Sequence, residues 1–185
     1  GRPGPVWIDI PFDVQSENII PQKLEPYLIE DLKEDKSDEK LIINAINTLK
    51  KAKNPVVVFG QGIRNSNSIK ELERLLALLK IPCISARMAL DILDHSNKYY
   101  FGLGGMRGQK VPSQILKECD LILAIGTSFT HAFAGQDYDQ YNSKAKLIMV
   151  NLDESEMNKK NLNVDIPIKI DAKNFLLKLI DYFSD

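Results

Sequence analysis

Residues 120–126 read Asp-Leu-Ile-Leu-Ala-Ile-Gly, an unbroken apolar run between an acid and a glycine. So short a run, with no polar residue alternating through it, fits a strand buried on both faces, and a helix pattern over roughly Val111 to Lys117 precedes it. The same order of helix then strand repeats outward. Upstream, a helix pattern over 38–52 places Leu41, Ile42, Ala45, Ile46 and Leu49 on one face and leads into Val56-Val57-Val58-Phe59. A second stripe, Ile69, Leu72, Leu75, Leu76 and Leu79, has Ser66 as its expected cap and leads into Ile81-Pro82-Cys83-Ile84, which Pro82 keeps short. Downstream, 146–151 reads as another central strand, 166–170 as an edge strand and 172–182 as a closing amphipathic helix. Strands alternating with helices imply parallel pairing through right-handed crossovers. The expected architecture is a doubly wound α/β domain, three layers thick, on a mainly parallel six-stranded sheet.

Composition bounds the function. The 185 residues carry a formal net charge of -1 and 44% apolar residues, which suits a soluble domain with a sizeable core and lacks the basic footprint of a nucleic-acid binder. No apolar run approaches the roughly 18–20 residues of a membrane span, so no membrane is expected and a cytoplasmic location follows by default. Cys83 and Cys119 lack CxxC spacing and neighbouring histidines, and read as reduced core residues. Neither His95 nor His131 lies at metal-ligand spacing, so no metal site is expected. Residues 30–40, Glu-Asp-Leu-Lys-Glu-Asp-Lys-Ser-Asp-Glu-Lys, read as a solvated linker, with the domain proper starting near Ser37.

In a doubly wound sheet, ligands sit outside the carboxyl ends of the strands. Three glycine-bearing turns fall there. Gly60-Gln61-Gly62 follows the first core strand and leaves room for a phosphate at a helix start, although Asn65 stands where a full dinucleotide fingerprint requires glycine, and a plain tight turn explains both glycines equally well. Gly102-Leu103-Gly104-Gly105-Met106-Arg107-Gly108 combines dense glycine with a fixed cation and suits an anionic ligand or a flexible loop. Gly126-Thr127-Ser128 offers hydroxyls and amides at the end of the central strand, where Phe129 packs on a ring or fills the core. Asp153 follows the strand 146–151 and reads as a ribose ligand or a helix cap. No nucleophile with a local base, no paired carboxylates and no complete P-loop occur, so no catalytic residue is assigned.

The opening residues 1–15, GRPGPVWIDIPFDVQ, contain a short apolar strand, Val6 to Ile10, with no partner nearby in sequence. This stretch resembles the end of the pyrimidine-binding domain of thiamine diphosphate enzymes, especially the acetolactate synthase group. The resemblance continues through Asn54-Pro55-Val56 to Gly62, the Ile81-Pro82 strand, Gly105-Met106-Arg107-Gly108, the strand ending at Gly126, and Leu152-Asp153. It implies that 1–15 is the trailing strand of a pyrimidine-binding domain, 16–37 a linker, and 38–185 a central domain like the nucleotide-binding domain of deoxyhypusine synthase. It further implies a parent enzyme that acts on a 2-oxo acid such as pyruvate with thiamine diphosphate and Mg2+ bound outside this chain. The partners it implies are the pyrimidine- and pyrophosphate-binding domains of the same polypeptide, in a homodimer or homotetramer. The isolated chain is then expected to be inactive.

Family members hold FAD or ADP in this domain, or nothing. The family's flavin-contacting positions fall on Gly60, Gly62, Gly105, Met106, Gly108, Gly126, Asp153 and Asp171. Arg107 stands where a histidine is usual, and Gly126-Thr127-Ser128-Phe129-Thr130-His131-Ala132 stands where Gly-x-Arg-Phe-Asp-Asp-Arg is usual. Two arginines and two aspartates are thereby absent from the loop that grips a flavin nucleotide, which weighs toward an ADP-type ligand or an empty site. The alternative is a self-contained NAD- or adenine-nucleotide-binding enzyme, or a sensor of the same fold.

Overall fold

The computed structural model describes residues 4–27, 38–135 and 144–184. The chain divides into two compact units, Arg2–Glu34 and Asp35–Asp185. In the first, α1 (Phe12–Gln15) is a single turn followed by a 3-10 turn at Pro21–Lys23. Gln15 closes that turn by donating its side-chain amide to the Ile10 carbonyl at 2.7 Å. Val6–Ile10, expected as a strand, forms none, because no neighbouring strand meets its backbone groups. Residues 28–37 of the expected linker lie outside the described residues.

The second unit is built on strands β1 (Pro55–Phe59), β2 (Cys83–Ser85), β3 (Tyr100–Leu103), β4 (Leu121–Ile125), β5 (Lys146–Asn151) and β6 (Ile166–Lys169). They form one all-parallel sheet in the order β3-β2-β1-β4-β5-β6. The expected α/β sheet is present, with β4 central: Val57 pairs in register with Leu123, and Leu123 with Ile148. Alternate residues of these strands feed two cores. Val57, Phe59, Leu123, Ile125, Ile148 and Val150 pack under α2 (Glu39–Lys51), α4 (Ile69–Leu79) and α8 (Ala172–Ser184). Val56, Val58, Ile122, Ala124, Leu147 and Met149 face α5 (Lys110–Glu118), α6 (His131–Ala134) and α7 (Glu154–Met157) on the other side. Period-two alternation across a sheet covered on both faces makes each central strand apolar throughout.

Two local expectations are corrected. The first concerns the expected cap. Ser66 does not cap α4. It ends a separate turn, α3 (Gly62–Asn65), and Asn67 then adopts a left-handed φ of 51°, so that Ser68 precedes α4. Second, β3 is a strand that the local sequence pattern does not mark. Its burial alternates, Tyr100 in and Phe101 out, as befits an edge strand rather than a doubly buried one. Among the described residues no helix is long and apolar enough to cross a membrane.

Candidate functional site

The strand order reverses between β1 and β4, because β1 to β3 progress one way across the sheet and β4 to β6 the other. This is the position at which an open α/β sheet offers a crevice. Every sequence-predicted site residue lies on this carboxyl edge. Gly60 and Gly62 follow β1, Gly105 to Gly108 follow β3, Gly126, Thr127 and Ser128 follow β4, Asp153 follows β5 and Asp171 follows β6.

The turns after β1 and β4 touch backbone to backbone. A Cβ on Gly60 would fall 2.5 Å from the Gly126 carbonyl oxygen and from the Thr127 Cα, and one on Gly62 would fall 2.5 Å from the Gly126 Cα. Gly126 itself has φ +58°, a conformation that glycine adopts without penalty. The contact is sealed by hydrogen bonds: Gly60 N–H donates to Ile125 O at 3.1 Å and Gly62 N–H to Gly126 O at 2.8 Å. The first turn's glycine amides are therefore engaged within the protein. Thr127, next to this contact, is buried to 3% exposure and its Oγ1 has no hydrogen-bond partner among the described residues. The Thr127 carbonyl accepts from the Asn151 side chain at 3.2 Å, and Asn151 Oδ1 in turn accepts from Asp153 N–H at 3.0 Å. Asn151, which the sequence reading passed over, thus ties the end of β5 to the β4 turn.

The turn after β3 is built differently. Gly105 has φ +101° and packs against the Phe133 backbone of α6, and Gly108 N–H closes the turn on Gly105 O at 2.8 Å. The amides of Met106 and Arg107, both exposed residues, donate to nothing among the described residues. Phe129 and Phe133 are buried and meet edge to face at 5.2 Å, so Phe129 fills the core beside the crevice. The two aspartates both cap helices. Asp153 accepts from Ser155 N–H at 2.9 Å, and Asp171 from Lys173 N–H at 2.9 Å.

Two further groups stand on this edge. Arg87 opens the 3-10 turn Arg87–Ala89 after β2, and Arg64 in α3 bonds Asp91 at 2.9 Å. The Arg64 hydrogen bond holds the Asp91 carboxyl below its ordinary range. The available signal for Arg87 was its place just past a strand's carboxyl end. Cys83, by contrast, is buried in β2 and its thiol is pushed up to about 12 by desolvation, which keeps it protonated and unreactive. Among the described residues no group of three or more histidine, cysteine, aspartate or glutamate side chains is placed to hold a metal ion.

A family model described as "Thiamine pyrophosphate enzyme, central domain" matches residues 42–179. The chain belongs to this family of central domains. Large subunits of acetolactate synthase are among its relatives. One from Methanococcus aeolicus, named as probable, is 35% identical over 98% of this chain and 31% of the relative. Isozyme 1 from Escherichia coli K12 is 32% identical over 97% of this chain and 31% of its own length, and the Corynebacterium glutamicum large subunit 31% identical over 98% and 29%. The central domain spans a little under a third of these curated relatives.

The exposed amides of Met106 and Arg107, unengaged among the described residues, are donors suited to an oxygen-rich ligand. A nucleotide fits this donor set. The side chains of the β4 turn at Thr127, Ser128 and Thr130 carry hydroxyls, and residues 126–135 include no lysine or arginine.

Proposed function

We propose that this domain serves, within a longer polypeptide, as the central domain of a thiamine diphosphate-dependent, acetolactate synthase-like enzyme that acts on 2-oxo acids such as pyruvate. Its role there is structural and nucleotide-binding, with FAD or ADP as the ligand, an ADP-type nucleotide favoured by the side chains of the β4 turn. Thiamine diphosphate and Mg2+ are held by pyrimidine- and pyrophosphate-binding domains of the same polypeptide, which assembles as a homodimer or homotetramer. The names of the relatives support the activity. The observation that carries the nucleotide reading is the pair of exposed amides, Met106 and Arg107, that donate to nothing among the described residues on the carboxyl edge of a sheet whose strand order reverses, where such N–H groups meet an oxygen-rich ligand.

The test is calorimetric titration of the full-length protein with ADP and with FAD, alongside a pyruvate-turnover assay with thiamine diphosphate and Mg2+. Expected are turnover by the full-length protein and micromolar binding of a nucleotide (about 8 kcal/mol). The isolated 185-residue chain should neither turn over pyruvate nor gain thermal stability from thiamine diphosphate with Mg2+. A stability gain in the isolated chain would defeat the assignment of that cofactor to other domains.

A further inference from the structure

Of the four arginines between residues 38 and 185, three stand on the carboxyl edge of the sheet, at Arg64, Arg87 and Arg107, after β1, β2 and β3 respectively. Arg64 is neutralised by Asp91 at 2.9 Å and also reaches Gln61 Oε1 at 3.3 Å. Arg87 and Arg107 form no ion pair or hydrogen bond through their side chains among the described residues, and both are exposed. The strands that deliver them are neighbours. Ser85 of β2 pairs with Leu103 of β3, and adjacent strands run about 4.8 Å apart, so the two loops leave the sheet side by side. Asp94, the other acid of the β2–β3 connection, is occupied at its far end, where it accepts from Ser96 N–H at 2.7 Å. Arg87 and Arg107 thus stand on adjoining loops with no acid partner among the described residues, and like charges brought close are relieved by an anion. In the same loop as Arg107, the amides of Met106 and Arg107, in the turn that Gly108 N–H closes on Gly105 O, donate to nothing among the described residues, and successive unengaged N–H groups suit an anion.

We infer that Arg87 and Arg107, with the Met106 and Arg107 amides, form a phosphoryl-binding subsite over the ends of β2 and β3. The inference rests on the nucleotide reading and sharpens it: the phosphates of the ligand lie toward β2 and β3. Arginine suits this role because its planar fork engages two phosphate oxygens at once, and a phosphoryl group presents enough oxygens for both guanidiniums and both amides.

The full-length protein is titrated calorimetrically with ADP, adenosine and inorganic pyrophosphate, in the parent sequence and in Arg87→Gln, Arg107→Gln and Arg74→Gln. Arg74 is exposed on α4, away from this edge, and controls for the loss of one positive charge. Arg87→Gln and Arg107→Gln are each expected to weaken ADP and pyrophosphate by about tenfold, the effect of losing one charge-assisted contact, with adenosine and the Arg74→Gln protein unchanged. Unaltered ADP and pyrophosphate binding in both variants overturns the subsite, as does an equal loss for adenosine. If neither ADP nor adenosine binds but pyrophosphate does so with the same dependence on both arginines, the nucleotide reading falls while the anion subsite stands. If pyrophosphate binds without that dependence, the subsite is refuted.

Discussion

Gly60 and Gly126 are 66 positions apart in the chain, yet neither can carry a side chain without striking the other's turn. The obstacle on each side is backbone, which cannot rotate away as a side chain can. A Cβ at Gly60 meets the Gly126 oxygen and the Thr127 Cα, both 2.5 Å away, and relief requires that β1 and β4 part at their carboxyl ends. Gly60→Ala is therefore expected to destabilise the domain by about 1–3 kcal/mol, the usual cost of overpacking, read as a lower urea midpoint at unchanged slope. Gly4, whose added Cβ meets nothing within 4 Å, serves as the control and should shift the midpoint negligibly. A Gly60→Ala midpoint matching the parent would mean that the two turns are not in contact in solution.

At the scale of elements, Asp120 joins the exit of α2 to the start of β4. Its carboxylate accepts from Lys53 N–H at 2.7 Å and Asn54 N–H at 2.9 Å, holding the approach to β1 beside the approach to β4. Burial pushes this carboxyl up, but the two amides outweigh burial and hold its pKa below the ordinary value. The sign follows: a depressed folded-state pKa adds stability that is complete above the unfolded value, roughly 3.9, and is lost as pH falls through the folded value. Asp120→Asn should therefore unfold more easily than the parent at neutral pH, with the gap narrowing as pH is lowered below about 4. Denaturation midpoints taken across pH 2–7 would check this, and a gap that widens toward acid would contradict it. The elements that were legible in sequence share a cause. β1, β4 and β5 lie inside a sheet covered on both faces, so their residues 56–59, 121–125 and 147–150 run apolar without interruption. β3 was not legible because an edge strand carries a half-signal, and Gly102 at φ +100° breaks even that. The site was legible as glycines following strands. The contact between Gly60 and Thr127 was not, since it depends on β1 lying beside β4, a neighbourhood set by strand order and absent from local pattern.

At the scale of the whole molecule, the folded unit closes both edges of its sheet. On β3, Gln109 folds back so that its Oε1 accepts from Leu103 N–H at 3.1 Å while its own N–H donates to Leu103 O at 2.9 Å. On β6, Pro167 removes a donor and Lys169 adds a charge, both exposed, which are common means of blocking edge pairing. In the other unit, Val6–Ile10 is an apolar stretch in which Val6, Trp7 and Ile8 are 83%, 92% and 75% exposed. Exposure of this extent in consecutive apolar residues marks a surface meant for a partner, and the proposed pyrimidine-binding domain is the partner expected here. Trp7 is the chain's single tryptophan beside six tyrosines, so fluorescence excited at the red edge, where only indole absorbs, reports this segment alone. In the isolated 185-residue chain its emission should be that of a water-exposed indole, readily quenched by iodide and little altered by denaturant. In the longer polypeptide it should report a buried indole, with a Trp7→Phe variant isolating its signal by difference. A water-like Trp7 in both proteins would leave the segment without its proposed partner, and a buried one in the isolated chain would show that it finds apolar cover within these residues or in a second copy.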